Sequence, residues 1–251
     1  MTGPPPLRLS VLGTRFVVSG GQEVLAEAAR LLAPFGSSDG LAGTDLHVGR
    51  GMPPAQAVAE LVAYLNATAL SKVDSLAVHA GVVARDGRAV AFPAPSGAGK
   101  STLVAACLRA GLAYVSDEAL CLDWADGAVH PYPRPLSVSA WACTLLGIPG
   151  PEPGMLERFV TPDELSAKLA TEPLSLAHLV LLDRQQGVSA ELRPATRQEA
   201  AAALLERSFT HWKRPERAFE LAHHLAGAAQ PWRLTLGDPR AAAPLLAGLF
   251  T

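Results

Sequence analysis

The sequence has few cysteines, few aromatic residues, little net charge and no long run of apolar residues. Its 251 residues include three cysteines, which stand far apart with no Cys-x-x-Cys pair. This excludes a disulfide framework and a zinc site made of cysteines alone. The net charge of −2 argues against a protein that holds nucleic acid mainly through phosphate contacts. Because the chain shows neither a membrane-length apolar run nor a signal-peptide pattern, we expect a cytoplasmic protein with no membrane span.

Apolar residues make up 49% of the chain, which is enough for one large domain or two small ones. The sequence pattern of the first part, residues 1–72, predicts a small α+β lobe without a recognisable catalytic or binding motif. Its expected elements are strand at residues 7–18, helices at 22–33 and 54–71, and a loop at 35–45. The second part, residues 73–251, predicts an α/β domain in which strands and helices flank a glycine-rich segment.

The second part predicts two β-hairpins. Apolar runs lie on both sides of Asp86-Gly87, and an Asp-Gly step favours a tight two-residue turn. A second hairpin is predicted around Asp126-Gly127. The other expected elements are helices at 101–110, 196–208, 215–228 and 240–250, strands at 112–116, 176–183 and 232–238, and an irregular, lid-like excursion at 145–172. The pattern is typical of a mixed sheet with flanking helices.

The glycine-rich segment has the context of a phosphate-binding loop, since a strand is predicted before it and a helix after it. Glycines let backbone N–H groups point at a phosphate, and the helix N-terminus adds favourable partial charge. We expect Lys100 to bind the β- and γ-phosphates, Ser101 to bind the Mg²⁺ ion and Thr102 to contact the α-phosphate. The residues expected to hold the nucleotide are Pro95, Ser96, Gly97, Ala98, Gly99, Lys100, Ser101 and Thr102.

Ala94 opens this segment where the usual pattern has glycine. Alanine fits there if its φ is negative, as at the end of a strand. The alternative interpretation is a glycine-rich turn with a chance Lys-Ser pair.

The hairpin register brings a histidine to the phosphate-binding loop. With a two-residue turn at Asp86-Gly87, counting back pairs His79 with Ala94. In that position His79 would contact the transferred phosphate or orient an acid. The alternative is a strand-end histidine whose hydrogen bonds are made by backbone groups.

Asp117 and Glu118 follow the strand that comes after the phosphate-loop helix, and strand ends of such sheets are where ligands bind. Two carboxylates suit phosphoryl transfer, because one can hold Mg²⁺ while the other accepts the proton of the attacking hydroxyl. The alternative is a solvated acidic turn. Arg134 is expected near Glu118 if the second hairpin continues that far.

Other charged groups carry weaker predictions. Asp183 ends an apolar run and is a candidate magnesium ligand, although a strand that enters a turn, with Arg184 as the partner of Asp183, explains it as well. A basic stretch is interpreted as a solvated face, with a docking patch for an acidic partner as the alternative. Its members are Arg207, Lys213, Arg214 and Arg217.

Three segments in this order, His79-Ala80-Gly81-Val82, APSGAGKS and Tyr114-Val115-Ser116-Asp117-Glu118, resemble a known family. It is the catalytic domain of HPr kinase/phosphorylase and its smaller relatives, among them kinases found with lasso-peptide biosynthesis. The resemblance covers about residues 76–136. It implies a phosphate-loop fold related to phosphoenolpyruvate carboxykinase, with ATP as phosphoryl donor and Mg²⁺ as the metal.

The resemblance also implies roles for individual residues. The family's hairpin histidine matches His79, and its two consecutive acids, usually Asp-Asp, match Asp117 and Glu118. The glutamate leaves open which carboxylate is the base and which the metal ligand. The downstream segment that HPr kinases use for dephosphorylation and assembly has no match, so phosphorylase activity and a homo-oligomer stay open.

Together these patterns predict a Mg-ATP-dependent kinase. Lys100, His79 and Asp117 are the expected catalytic residues, and Ser101 and Glu118 the expected holders of Mg²⁺. By the resemblance, the acceptor is the hydroxyl of a serine in a peptide or small protein. The alternatives are a kinase of a small metabolite and a nucleotide-sensing interaction module without catalysis.

Overall fold

The computed structural model describes residues 4–37, 42–49 and 51–250. The chain divides into two compact units, one made of residues 1–73 and 137–160 and the other of residues 74–136 and 161–251. The described residues form a mixed α/β structure with three sheets. Among the described residues no helix is both long and apolar enough to cross a membrane.

The strands and helices are numbered in chain order. The strands are β1 (Leu7–Val11), β2 (Thr14–Gly20), β3 (Thr44–Val48), β4 (Leu76–Arg85), β5 (Arg88–Pro93), β6 (Ala113–Ser116), β7 (Ala119–Leu122), β8 (Val129–His130), β9 (Leu136–Ser139), β10 (Glu157–Val160), β11 (Ser175–Arg184), β12 (Glu191–Pro194) and β13 (Gln230–Leu236). The helices are α1 (Gln22–Leu32), α2 (Pro54–Lys72), α3 (Lys100–Arg109), α4 (Ala140–Leu146), α5 (Arg197–Glu206), α6 (Pro215–Ala228) and α7 (Pro239–Ala247).

The first unit contains a three-stranded sheet in the order β1, β2, β3. Strands β1 and β2 form an antiparallel hairpin, and β3 pairs parallel to β2. Helices α1 and α2 bury their apolar faces, as their periodicity predicts. The predicted loop at 35–45 is wrong at its end, because β3 begins at Thr44. Residues 38–41 of that loop lie outside the described residues. None of the β3 residues is buried, so its sequence lacks the apolar alternation that reveals a strand.

The segment that follows β8 has more regular structure than the sequence predicts. Strands β9 and β10 pair in a small sheet, and helix α4 lies between them in the chain. The prediction of an irregular excursion over 145–172 is therefore wrong for its middle, which contains β10 and a 3-10 turn at Pro162–Leu165.

The second unit is built on an eight-stranded mixed sheet. Its order is β12, β13, β11, β5, β4, β7, β8, with β6 also paired to β4. The β4–β5 hairpin turns at Asp86-Gly87, and its register pairs Arg85 with Arg88 and Val83 with Val90, as predicted. Strands β5, β11 and β13 run parallel, so their carboxyl ends reach the same end of the sheet.

Helices cover both faces of this sheet. Alternate residues of β4, among them Val78, Ala80 and Val82, join a buried cluster with α5 and α6. Gly81 points the other way, because a Cβ built there would lie 2.8 Å from the Val104 side chain of α3. Side chains alternate along a strand, so His79 shares the face that carries α3.

Candidate active site

The glycine-rich segment, residues 94–101, forms a loop between the end of β5 and the start of α3. Gly97 and Gly99 have φ values of +78° and +95°, which other residues rarely adopt. Gly99 is also the N-cap of α3. Ala94 is buried and is not among the residues with positive φ, so alanine fits the first position as expected. We call residues 94–101 the phosphate loop below.

Lys100 folds back over the phosphate loop. Its Nζ donates hydrogen bonds to the carbonyl oxygens of Ala94 at 3.1 Å and Pro95 at 2.9 Å. The side chain is 6% exposed, and burial lowers its pKa below the usual value. An ammonium group has three donors, so the two carbonyls leave one N–H for a further acceptor such as a phosphate oxygen.

His79 lies where the hairpin register predicts. Its carbonyl accepts a hydrogen bond from the N–H of Ala94 at 3.3 Å, which fixes this histidine beside the phosphate loop. Burial lowers the pKa of His79, and the charge of Lys100 lowers it further, while the carboxylates of Glu118 and Asp117 act in the opposite sense. The imidazole is therefore near two cations, Lys100 and Arg134, and two anions, and its lowered pKa keeps it neutral at pH 7.

Asp117 and Glu118 lie in the interior of the sheet. Strand β6 pairs with the second half of β4 and β7 with its first half, so the two acids occupy the break between β6 and β7. The N–H of Ala80 donates to the carbonyl of Glu118 at 3.1 Å across this break. Both acids directly follow the end of β6, and because β5 and β6 are each antiparallel to β4, the carboxyl ends of β5 and β6 lie at the same end of their pairing with β4.

One arginine holds both carboxylates. Arg134 Nη1 lies 2.9 Å from Glu118 Oε2, and Arg134 Nε lies 3.4 Å from Asp117 Oδ1. The Tyr114 hydroxyl lies 3.1 Å from Asp117 Oδ1 and 2.7 Å from the Arg134 carbonyl oxygen, to which it donates a hydrogen bond. Burial alone would lower the pKa of Arg134, but Asp117 and Glu118 outweigh it and raise the pKa.

The two carboxylates differ in access to solvent. The Asp117 side chain is 1% exposed, whereas the Glu118 side chain is 23% exposed. Glu118 is therefore the more accessible of the two acids.

Arg134 lies near Glu118 as expected, although the hairpin does not extend that far. Strand β8 ends at His130, and the chain then stays beside β6 because the N–H of Tyr132 donates to the carbonyl of Val115 at 3.1 Å. The sequence does not predict a part for Tyr114, since a tyrosine in an apolar strand has the pattern of an ordinary core residue.

Arg184 contacts the phosphate loop from β11. Its Nη1 donates to the carbonyl of Gly97 at 3.0 Å, so it does not simply pair with Asp183 as one interpretation of the sequence has it. Asp183 instead accepts a hydrogen bond from Gln185 at 2.7 Å. Because β11 runs parallel to β5, its carboxyl end naturally reaches the loop that follows β5.

The acids near the phosphate loop are too few to hold a metal by themselves. Within residues 4–37, 42–49 and 51–250, no group of three or more His, Cys, Asp or Glu side chains is placed to bind a metal ion. Magnesium in phosphoryl-transfer sites usually takes one or two protein ligands and completes its shell with water and phosphate oxygens. Ser101, at the start of α3, and the partly exposed Glu118 fit that kind of site.

We compared the chain with known protein families and curated proteins. No known family model matches the chain, and no curated protein matches it. The site is therefore interpreted from its own residues.

Proposed function

We propose that the chain is a Mg-ATP-dependent kinase with a phosphate-loop fold of the HPr kinase type. The observation that carries this is the grouping of Lys100, His79 and the Asp117–Glu118 pair around a glycine-rich strand-to-helix loop. A structural turn does not require a buried lysine, a neutral histidine and two carboxylates within electrostatic reach of one another. Phosphoryl transfer uses such groups, because it depends on positioning and on charge stabilisation.

The phosphate loop would bind the donor. Apart from the N–H of Ala98, which donates to the Pro95 carbonyl at 3.3 Å, the backbone N–H groups of residues 96–101 at the N-terminus of α3 would serve as donors to the β- and γ-phosphates. The third N–H of Lys100 would reach a phosphate oxygen. Thr102, in the first turn of α3, extends these contacts to the α-phosphate. Without an N-K-x-D segment for guanine, ATP is the preferred donor.

In the transfer step the acceptor hydroxyl oxygen bonds to the γ-phosphorus while the bond from that phosphorus to the β–γ bridging oxygen breaks. ADP leaves with the electron pair of the broken bond, and the hydroxyl proton passes to a carboxylate. Asp117 is our first assignment for this base. Neutral His79 donates or accepts a hydrogen bond at the transferred group.

Mg²⁺ bound by Ser101 and Glu118 would offset the negative charge that the phosphate oxygens carry. The greater exposure of Glu118 also favours a second assignment, in which Glu118 takes the proton and Asp117 positions Arg134. The two assignments differ in the metal dependence expected of a Glu118→Gln variant.

Transfer of ³²P from Mg-ATP to candidate serine peptides, proteins and small metabolites tests the proposal. We expect Lys100→Ala and Asp117→Asn to lower transfer at least about 100-fold, because each removes a charge that acts on the reacting groups. Glu191→Gln is the control, since this carboxylate lies on the exposed surface, where it pairs with Arg193, and the substitution should leave transfer unchanged.

The outcomes separate the alternatives. Unchanged transfer in both Lys100→Ala and Asp117→Asn would falsify the kinase assignment. Tight Mg-ATP binding without transfer to any acceptor would favour a nucleotide-sensing module. A Glu118→Gln variant that needs more Mg²⁺ for the same rate supports Glu118 as metal ligand, whereas a rate loss that Mg²⁺ does not restore supports it as the base.

A further inference from the structure

An exposed aromatic segment follows helix α5 and is held rigidly by hydrogen bonds. Phe209 is 38% and Trp212 65% exposed, although large aromatic side chains are usually buried. The Ser208 hydroxyl accepts from the N–H of His211 at 2.9 Å, and Trp212 Nε1 donates to the carbonyl of Phe209 at 3.0 Å. Thr210 Oγ1 donates to the Ser75 carbonyl at 2.8 Å. We call residues 207–213 the aromatic arm.

The aromatic arm runs along the same edge of β4 as the phosphate loop. The N–H and C=O of one strand residue point to the same side. At His79 the carbonyl accepts from Ala94 of the phosphate loop, and the N–H donates to the carbonyl of Arg207 at 2.7 Å. The N–H of Phe209 then donates to the carbonyl of Ala77 at 2.8 Å. The arm therefore takes the place beside β4 that the chain leaves free when β5 ends and the phosphate loop begins.

This position puts aromatic and basic groups next to the reacting end of the site. The Phe209 ring centroid lies 5.5 Å from that of His79. The positive charge of Arg207 acts on Lys100 and contributes to lowering its pKa. Lys213 Nζ lies 5.8 Å from the centroid of the Trp212 ring. The arm thus presents two aromatic rings between two cationic groups.

Arg214 lies just beyond the arm. It forms an ion pair with Asp74 at 2.8 Å, and its guanidinium lies 5.5 Å from the centroid of the Trp124 ring. Arg207 has an acidic neighbour too, since its Nη2 lies 3.6 Å from Glu206 Oε2. The basic stretch that the sequence identifies has two sets of contacts. The charge of Arg207 acts on Lys100 and Lys213 lies near the Trp212 ring, whereas Arg214 and Arg217 both contact Trp124.

We propose that the aromatic arm docks the phosphoryl acceptor, and that the acceptor is a peptide segment with an acidic and an apolar side chain near its hydroxyl residue. This rests on the proposed kinase function. Trp212 is two-thirds exposed, so the arm forms an open surface that suits an extended chain more than a small metabolite. The cations favour acidic side chains, and the rings favour aromatic or aliphatic ones.

A positional-scanning library of serine peptides, incubated with Mg-[γ-³²P]ATP, tests this preference directly. We expect the wild-type chain to select Asp or Glu at one or more positions and an apolar residue at another. Arg207→Glu and Lys213→Glu should each weaken or reverse the selection for acidic residues, since an acidic side chain repels an acidic peptide.

The aromatic part is tested on the best peptide from that library. Trp212→Ala and Phe209→Ala should each lower kcat/KM by about 10- to 100-fold, mainly through a higher KM, because they remove ground-state contacts with the acceptor. Leu245→Ala on α7 is the matched control, because Leu245 is 38% exposed like Phe209 and lies outside the arm. It should leave kcat/KM unchanged.

The possible failures can be told apart. If Mg-ATP, tested alone by its effect on the thermal unfolding midpoint, does not bind, both proposals fall. Phosphorylation of metabolites but of no peptide would overturn the arm proposal and keep the kinase. Peptide phosphorylation without selection for acidic and apolar residues, or arm variants equal to Leu245→Ala, would also overturn the arm proposal alone.

Discussion

His178 on β11 and His79 on β4 belong to the same eight-stranded sheet but are held in opposite ways. His178, which pairs with Val90 of β5, has both ring nitrogens engaged. Trp232 Nε1 donates to its Nδ1 at 3.2 Å, and its Nε2 lies 3.0 Å from the carbonyl oxygen of Leu249. An indole N–H only donates and a carbonyl only accepts, so these partners fix the neutral tautomer with the proton on Nε2.

His79, at the phosphate-loop end, has no comparable partners. Within the described part of the chain its ring makes no hydrogen bond and contacts the Phe209 ring instead. Its neighbours are charged groups that burial and the β4 backbone hold in place. His178 uses both ring nitrogens in hydrogen bonds within the fold, whereas His79 leaves its ring nitrogens for a ligand. Two residues of one type on one sheet thus separate a structural role from a candidate functional one.

The largest loss of unfolding free energy is expected from Arg134→Met. It would leave the buried carboxylate of Asp117 and the half-buried one of Glu118 without their shared cation. Removal of one partner from a buried ion pair costs about 3–5 kcal/mol of unfolding free energy. Urea unfolding at pH 7 measures the loss.

Arg193→Met is the control for that variant, because Arg193 pairs with Glu191 on the exposed surface. Exposed pairs are screened by solvent and contribute little to stability, so the control should change it far less than Arg134→Met. Equal effects of the two substitutions would show that the phosphate-loop end is not held by its buried charges.

A smaller loss is expected from Gly81→Ala. Its Cβ would lie 2.8 Å from Val104 Cγ2 and 3.1 Å from Phe92 Cδ2, so strand and helix would have to separate. Overpacking of this kind costs about 1–3 kcal/mol. Because α3 starts at Lys100, the same displacement should also weaken Mg-ATP binding, which equilibrium titration with the nucleotide measures.

Gly227→Ala on α6 is the matched glycine substitution. No atom lies within 4 Å of its added Cβ, and its φ is not positive. Alanine in an open helical position stabilises by about 1 kcal/mol or less, so the sign should be opposite to that of Gly81→Ala. A destabilised Gly227→Ala would mean that α6 packs more tightly at this position than its open surroundings indicate.

Replacing each histidine with alanine tests whether His178 has a structural role and His79 a functional one. His178→Ala leaves the Trp232 N–H and the Leu249 carbonyl unpaired and should cost about 1–3 kcal/mol of unfolding free energy with little effect on transfer. His79→Ala should do the reverse, with a change of about 1 kcal/mol or less and a clear loss of ³²P transfer. A stable His178→Ala together with an unfolded His79→Ala would invert the roles.

Much of the second unit can be predicted from the sequence, because its strongest signals are local. The Asp86-Gly87 turn sets the β4–β5 register, and that register alone brings His79 to Ala94. Helix α6 agrees with its predicted bounds because its apolar residues follow a 3.6-residue period.

What the sequence could not predict depends on contacts between distant segments. Strand β12 has no buried residue, so its apolar pattern gives no signal. The aromatic arm joins β4 through backbone hydrogen bonds, which no side-chain pattern encodes. Arg184 is attached to Gly97 because β5 and β11 are parallel neighbours, and that neighbourhood is a property of sheet order.

The smallest effect is the pH dependence that the two histidines share. Burial lowers the pKa of both below the model-peptide value of 6.5, so the unfolded chain binds more protons in acid than the folded chain does. Stability is therefore full above pH 6.5 and falls as the pH drops below it, by at most about 1.4 kcal/mol per pH unit for each proton. For His178 burial is the main cause of the lowered pKa; Arg88, whose Nη2 lies 3.4 Å from Nε2, acts in the same sense, while the hydrogen bond to the Leu249 carbonyl opposes it. Urea unfolding between pH 5 and 7.5 should show a shallower dependence of stability on pH in His178→Gln than in the wild type, and an unchanged dependence would mean that folding does not lower the pKa of His178.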